Sequence, residues 1–136
     1  MNPSLSDYDI EGLTGVLGSV HHAKRVLNHY YKHDGKVDWE QVQIGKELTH
    51  RLRAQVRECQ SRVVMRSGSS DGTVKLLVGY DRGGAVESVM MSSYRPDRAA
   101  VCVASQIGCA MGCDFCASTR GGVERNLSAG EIVEQF

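Results

Sequence analysis

The chain has 136 residues, with Lys+Arg and Asp+Glu each totalling 16, so its formal net charge is zero. That length can bury one modest core, or one small domain and part of another, and the balanced charge excludes a chain that attracts polyanions over its whole surface. No stretch has the apolar length of a membrane span, and Met1-Asn2-Pro3-Ser4 lacks the basic start and apolar run of a signal peptide.

The zero net charge hides a local asymmetry. From His21 to Arg66 the basic residues are Lys24, Arg25, Lys32, Lys36, Lys46, Arg51, Arg53, Arg57, Arg62 and Arg66, opposed by Asp34, Asp38, Glu40, Glu47 and Glu58. A basic module beside an acidic remainder is compatible with RNA contact, although a solvated helix surface has the same composition. Five cysteines without an export signal fit a reducing, cytoplasmic setting.

In chain order, Ser6 followed by Asp9 predicts a cap for a first helix in which Ile10, Leu13, Leu17 and Val20 recur at helical spacing. A second helix carries the stripe Ala23, Val26, Leu27, Tyr30 and Tyr31, with Gly35 placed to stop it. His21, His22, His29 and His33 read as solvated helix residues and are assigned no metal. Trp39 is expected in a short connection, anchoring the small domain by burying its ring. A third helix is predicted over Gly45 to Cys59, with Ile44, Leu48, Leu52 and Val56 four apart. Cys59 is read as a core or boundary thiol.

The texture then changes to strands. Ser61 to Arg66, Thr73 to Tyr80 and Ala85 to Met91 are separated by Ser67-Gly68-Ser69-Ser70-Asp71-Gly72 and Asp81-Arg82-Gly83-Gly84, which predicts a three-stranded antiparallel meander. The loop Ser92 to Arg98 leads into a short apolar strand, Ala99 to Ala104. Near the end, Ser128 and Glu131 form a capping box for a last helix.

Between them lies the chemically loaded stretch. Cys109-Ala110-Met111-Gly112-Cys113-Asp114-Phe115-Cys116 places three cysteines at C-x3-C-x2-C spacing. Cysteine normally occurs singly as a small buried hydrophobe, so this clustering calls for metal, disulfide or redox chemistry. Three thiolates from one loop can hold three corners of a 4Fe–4S cluster, leaving the fourth iron without a protein ligand. The competing site is zinc, with Cys102 or a histidine as fourth ligand. Zinc motifs usually pair two well-separated C-x2-C knuckles, and here there is one compact run.

These residues resemble a known family. C-x3-C-x-aromatic-C, with Phe115 in the aromatic place, is similar to the radical S-adenosylmethionine (radical SAM) signature. Cys102-Val103-Ala104-Ser105-Gln106-Ile107-Gly108-Cys109, the cluster loop and Arg125-Asn126-Leu127-Ser128-Ala129-Gly130-Glu131-Ile132 together resemble the RlmN/Cfr family. The resemblance is specific from about Ala99 to Phe136 and looser upstream. It implies a methyltransferase acting on carbon 2 of adenine in 23S rRNA and in tRNA. Carbon 8, as in the Cfr branch, another radical SAM activity, or a non-catalytic zinc-stapled RNA-binding module are the alternatives.

The resemblance also implies roles, residue by residue. Cys109, Cys113 and Cys116 would ligate a 4Fe–4S cluster, and Phe115 would approach the adenine of S-adenosylmethionine. Cys102 matches a catalytic cysteine that assists deprotonation and resolves a protein–RNA link by disulfide formation with a methyl-carrying cysteine. Read alone, Cys102 in an apolar strand is a buried core thiol. Glu87, in Val86-Glu87-Ser88-Val89, matches a family glutamate that accepts the ring proton. Read alone, it is an exposed carboxylate on a half-polar strand. An electron donor such as flavodoxin or ferredoxin is implied as a partner, with no membrane and a monomeric protein.

The expected fold is α+β / α/β. A helical accessory domain (residues 1–59; the RNA-holding part maps to Leu5 to Glu58) precedes the meander and linking loop (60–98). Residues 99–136 would then start a radical SAM (β/α) barrel, with the cluster loop leaving the C-terminal end of its first strand. One strand–helix unit makes an incomplete barrel, so the chain reads as a fragment. The family's SAM-gripping Gly-Glu-Pro segment and its methyl-carrying cysteine are expected beyond Phe136.

Overall fold

The computed structural model describes residues 2–93, 95 and 97–136, so Tyr94 and Pro96 of the expected linking loop lie outside the described residues. The chain divides into two compact units, Met1–Gln60 and Ser61–Phe136.

The first unit is helical: α1 (Ile10–Leu17), α2 (Val20–Lys32), the one-turn α3 (Trp39–Val42) and α4 (Lys46–Gln55). Asp9, and not Ser6, caps α1, its side chain accepting from the Gly12 N–H at 2.7 Å. Asp9 sits directly before the first helical residue, where a short acceptor can reach the free N–H groups of the first turn. Ser6 is instead buried in a preceding 3-10 turn (Leu5–Asp7) and donates to Ser4 Oγ. The α2 stripe is buried at Ala23, Val26, Leu27 and Tyr30, whereas Tyr31 lies off it, 52% exposed. Leu5, Leu13, Leu17, Val37, Val42, Ile44, Leu52 and Val56 complete one core, with Trp39 and Leu48 packed against it.

Three expectations change here. The α4 helix ends at Gln55, and Val56 is extended, so the helix does not reach Cys59. The reason is pairing: Arg57 exchanges backbone hydrogen bonds with the N-terminal segment, its N–H donating to Pro3 O (2.9 Å) and its carbonyl accepting from Leu5 N–H (2.8 Å). Cys59 is exposed, not a core thiol. Trp39 opens α3 and is only half-buried; its Nε1 donates to Glu58 Oε1 at 2.9 Å.

The second unit begins with an antiparallel sheet in the order β1 (Ser61–Gly68), β2 (Val74–Tyr80), β3 (Ala85–Ser92), β4 (Ala99–Cys102). The meander therefore has four strands. Ala99–Cys102, expected to open a barrel, pairs antiparallel with β3, Val89 facing Cys102 and Ser92 facing Ala99. A four-residue apolar strand following a short connection satisfies its backbone most directly on the neighbouring free edge of β3. Two further strands, β5 (Gln106–Gly108) and β6 (Val123–Asn126), form a separate antiparallel hairpin, and α5 (Ala129–Val133) follows.

One face of this sheet is a core. Val78, Tyr80, Val86, Ile107 and Leu127 are buried together, with Leu76, Ala104 and Ile132 packed against them. The α5 helix starts at the expected capping box, the Glu131 N–H donating to Ser128 Oγ and the Ser128 N–H to Glu131 Oε2. Two glycines are required by geometry. Gly84, at φ +81°, lies where a side chain would run into Ile107, and Gly108, at φ +78°, lies where one would strike the Gly122 carbonyl.

Candidate functional site

The cysteine loop is the connection between β5 and β6, and its backbone is closed on itself. The Cys109 N–H donates to Gly122 O at 3.0 Å, directly beside Gly108. Thr119 ties the middle: its Oγ1 accepts from the Gly112 N–H at 2.7 Å and donates to Cys109 O at 3.1 Å. The far end turns through a 3-10 segment, Ala117–Thr119, preceded by a Cys116 N–H···Cys113 O bond of 3.2 Å. Ends and centre are thus held by hydrogen bonds, while Met111 and Phe115 are exposed.

No disulfide joins the cysteines; Cys109, Cys113 and Cys116 are half-buried. Among the described residues no three His, Cys, Asp or Glu side chains converge as a metal-holding group, so the loop brings the three cysteines together in sequence and fold but not onto one point. As a donor set they fit an iron–sulfur cluster. Three soft thiolates on one braced loop suit iron–sulfur or zinc and not hard cations. Cys102 is on β4, outside this loop. Phe115 is 89% exposed.

Cys102 ends β4 and is exposed, so it is not the core thiol that its apolar neighbours suggest. It faces Val89 across the β3–β4 ladder. Opposed residues share a face, as do residues two apart, so Glu87 and Cys102 lie on the same side of the sheet. Glu87 is exposed and ion-paired with Lys75 Nζ at 2.9 Å, and Lys75 also sits opposite Val89. The sheet thus collects Lys75, Glu87 and Cys102 on one face.

Sequence reasoning missed the braces. Arg125, left without a role, makes a bidentate pair with Glu131, at 2.7 and 2.8 Å, and also donates to Gly83 O at 3.0 Å. Glu131 is fully buried. Burial pushes its carboxyl up, but the hydrogen bonds from Arg125 and the Ser128 N–H outweigh this and hold it below the usual glutamate range. The Glu131 hydrogen bond raises Arg125 in return. Tyr80 donates its hydroxyl to Glu131 O at 2.9 Å, and its own pKa rises to about 12, chiefly from burial and then from the Glu131 charge. The capping-box pattern flagged Glu131; no local pattern announces its second partner.

Gln135 is the other brace. Its amide bonds Ala104 on both sides, donating to Ala104 O at 2.8 Å and accepting from the Ala104 N–H at 2.9 Å, while Ser88 Oγ donates to the same Oε1. It fixes the segment between Cys102 and β5.

No family model matches the chain. Individual proteins do. A probable dual-specificity RNA methyltransferase RlmN 1 of Opitutus terrae is 44% identical over 140 residues, covering 100% of this chain and 39% of that protein. A dual-specificity RNA methyltransferase RlmN of Campylobacter fetus is 34% identical over 144 residues, 98% of this chain and 41% of that one. The chain is a homologue of RlmN. A probable RlmN of Bacillus pumilus adds 45% identity over 92 residues, 68% of this chain and 25% of that protein. Among solved structures, a radical SAM methyltransferase from Sphaerobacter thermophilus superposes with a TM-score of 0.78 at 33% identity, covering 97% of this chain and 40% of that one. The RlmN-like chain therefore spans about two fifths of the length of such relatives.

Proposed function

We propose that the chain supplies the first part of a radical SAM methyltransferase that methylates carbon 2 of adenine in 23S rRNA and in tRNA. The observation that carries this reading is the cysteine loop, braced at Cys109, Gly112 and Cys116, in a chain matched along its whole length by an RNA methyltransferase. Cys109, Cys113 and Cys116 would hold a 4Fe–4S cluster, and Phe115, exposed between two of them, would meet the adenine of S-adenosylmethionine. When bound, the cluster supplies the one-electron chemistry that opens S-adenosylmethionine, with the electron delivered by a flavodoxin- or ferredoxin-type partner.

The remaining work falls to the sheet face. Methylation at a ring carbon must release the proton that carbon carried, and the Glu87 carboxylate, positioned by Lys75, is the group to accept it. The Cys102 thiol lies exposed on the same face. In this reading it assists deprotonation and frees the enzyme–RNA link by forming a disulfide with a second, methyl-carrying cysteine. No cysteine follows Cys116 in the chain, so that partner thiol would come from sequence equivalent to the rest of the relatives.

The test is a chimaera in which residues 1–136 replace the matching segment of the Opitutus terrae relative. Loaded anaerobically and given a 23S rRNA fragment, it is expected to yield 2-methyladenosine by nucleoside mass spectrometry. Cys102→Ala and Cys116→Ala should each abolish product. A folded, iron-loaded chimaera that methylates nothing overturns the reading; 8-methyladenosine would move it to the Cfr branch.

A further inference from the structure

The C-terminal turn of α2 carries a pair of histidines that the cysteine-loop chemistry does not use. His29 and His33 stand four residues apart, so they share one helix face. Their imidazoles stack with centroids 4.0 Å apart and planes 18° from parallel. His33 is the C-cap residue. Its backbone is fixed there, the His33 N–H donating to Tyr30 O at 3.3 Å and the Gly35 N–H to the same carbonyl at 3.0 Å.

Two observations distinguish the pair from an ordinary solvated helix face. First, His33 Nδ1 lies 2.8 Å from the His29 carbonyl. A carbonyl only accepts, so Nδ1 carries the proton, and Nε2 of the neutral ring keeps its lone pair. A backbone carbonyl on one ring nitrogen is the common support for an imidazole that binds metal through the other. Second, both ring nitrogens of His29 are buried without a hydrogen-bond partner among the described residues. A buried polar atom left unmatched is costly, and a metal bond is one way to satisfy it.

The spacing fits a shared ion. Metal–imidazole bonds are about 2.0–2.1 Å, so two nitrogens on adjacent corners of a tetrahedron stand about 3.4 Å apart. Rings stacked at 4.0 Å reach that separation by a small tilt toward each other. The carbonyls that end a 13-residue helix add partial negative charge, which favours a cation. Lys32 and Lys36 flank the pair in sequence, both exposed, with Asp34 between them. Two lysines and neutral ligands disfavour a hard ion such as Mg²⁺, which needs oxygen donors, whereas imidazole suits nickel, copper and zinc.

We propose that His29 and His33 chelate a divalent transition ion of the nickel, copper and zinc class, His33 through Nε2. No third His, Cys, Asp or Glu converges on them among the described residues, so water completes the coordination. The site lies within the first unit and does not depend on the function proposed above. The sequence assigns these histidines no metal, because spacing alone reveals neither the stack nor the tautomer.

The probe is Ni²⁺ alone, titrated into the full, untagged chain and followed residue by residue in amide and imidazole NMR signals, which separates this pair from the cysteine loop. The signals of residues 29–36 and of both imidazoles should shift or broaden, and the response should saturate. His29→Gln and His33→Gln should each weaken it about tenfold or more, as expected when one arm of a chelate is lost, while His21→Gln leaves it unchanged. His33 is exposed, so the test turns on that variant, with circular dichroism checking that helix content is kept. Lowering the pH should release the ion, because protons compete for the imidazoles. No response at residues 29–36, a response that survives His33→Gln, or an equal response to Mg²⁺ overturns the proposal.

Discussion

Replacing Arg125 by Met tests how the hairpin bearing the cysteine loop is held. The substitution keeps an unbranched side chain but removes both hydrogen bonds to Glu131 and the one to Gly83 O. Glu131 has no solvent exposure, so its charge is left in the interior without its bidentate partner, the Ser128 N–H still donating to it. Breaking a buried pair from one side costs about 3–5 kcal/mol. At roughly 0.05–0.15 kcal/mol per residue, the second unit has on the order of 4–11 kcal/mol in total, so the variant should lose a large share of it. Hydrogen exchange of the β5 and β6 amides, against urea, measures this unit separately from the helical one. Arg125→Met with Glu131→Met should recover much of the loss, because the buried charge goes as well. The pH dependence has a fixed sign. The folded Glu131 pKa is lowered, so its contribution is present above the ordinary glutamate range and is lost as pH falls through the lowered folded value. A cost below about 1 kcal/mol for Arg125→Met, or a double variant no better than the single, would refute this reasoning.

Four further outcomes are expected. Gly108→Ala forces an L residue to φ +78° and drives its Cβ into the Gly122 carbonyl; about 2 kcal/mol or more should be lost, read as collapse of β5–β6 amide protection. Gln135→Met removes the two-sided clamp on Ala104 and leaves Ser88 Oγ without Gln135 Oε1, costing about 2–3 kcal/mol in urea unfolding. Thr119→Val removes two loop hydrogen bonds, about 1–2 kcal/mol of local closure, and should raise the rate at which a chelator strips iron from loaded protein. Lys75→Ala breaks an ion pair exposed on both sides and should change stability by less than about 0.5 kcal/mol in the same unfolding experiment.

The parts of this molecule visible in the sequence are those decided locally. The α2 stripe from Ala23 to Tyr30, the Ser128–Glu131 cap and the β1 to β3 turns follow from period, cap chemistry and turn residues within a few positions, and the structure has all three. The cysteine loop is equally local, because its C-x3-C-x2-C spacing is a property of one short run. What escaped depends on partners distant along the chain. The α4 helix stops at Gln55 because Arg57 pairs with Pro3 and Leu5, some fifty residues earlier. Four apolar residues at Ala99–Cys102 read as a strand without saying which neighbour they join, and β3 takes them antiparallel. Arg125 looks like one more cation after the loop until Glu131 and Gly83 are folded against it. Cys102 is set in an apolar run, yet an edge strand leaves its thiol exposed.

The central claim is that Cys109, Cys113 and Cys116 hold a 4Fe–4S cluster with one open corner, and anaerobic reconstitution with iron and sulfide tests it most directly. The chain should turn brown and retain about four irons. After reduction it should give a paramagnetic signal that shifts when S-adenosylmethionine is added, and the Cys109→Ala, Cys113→Ala, Cys116→Ala variant should take up none. Folded protein that refuses iron but binds zinc tightly, through these cysteines and Cys102, would contradict the account.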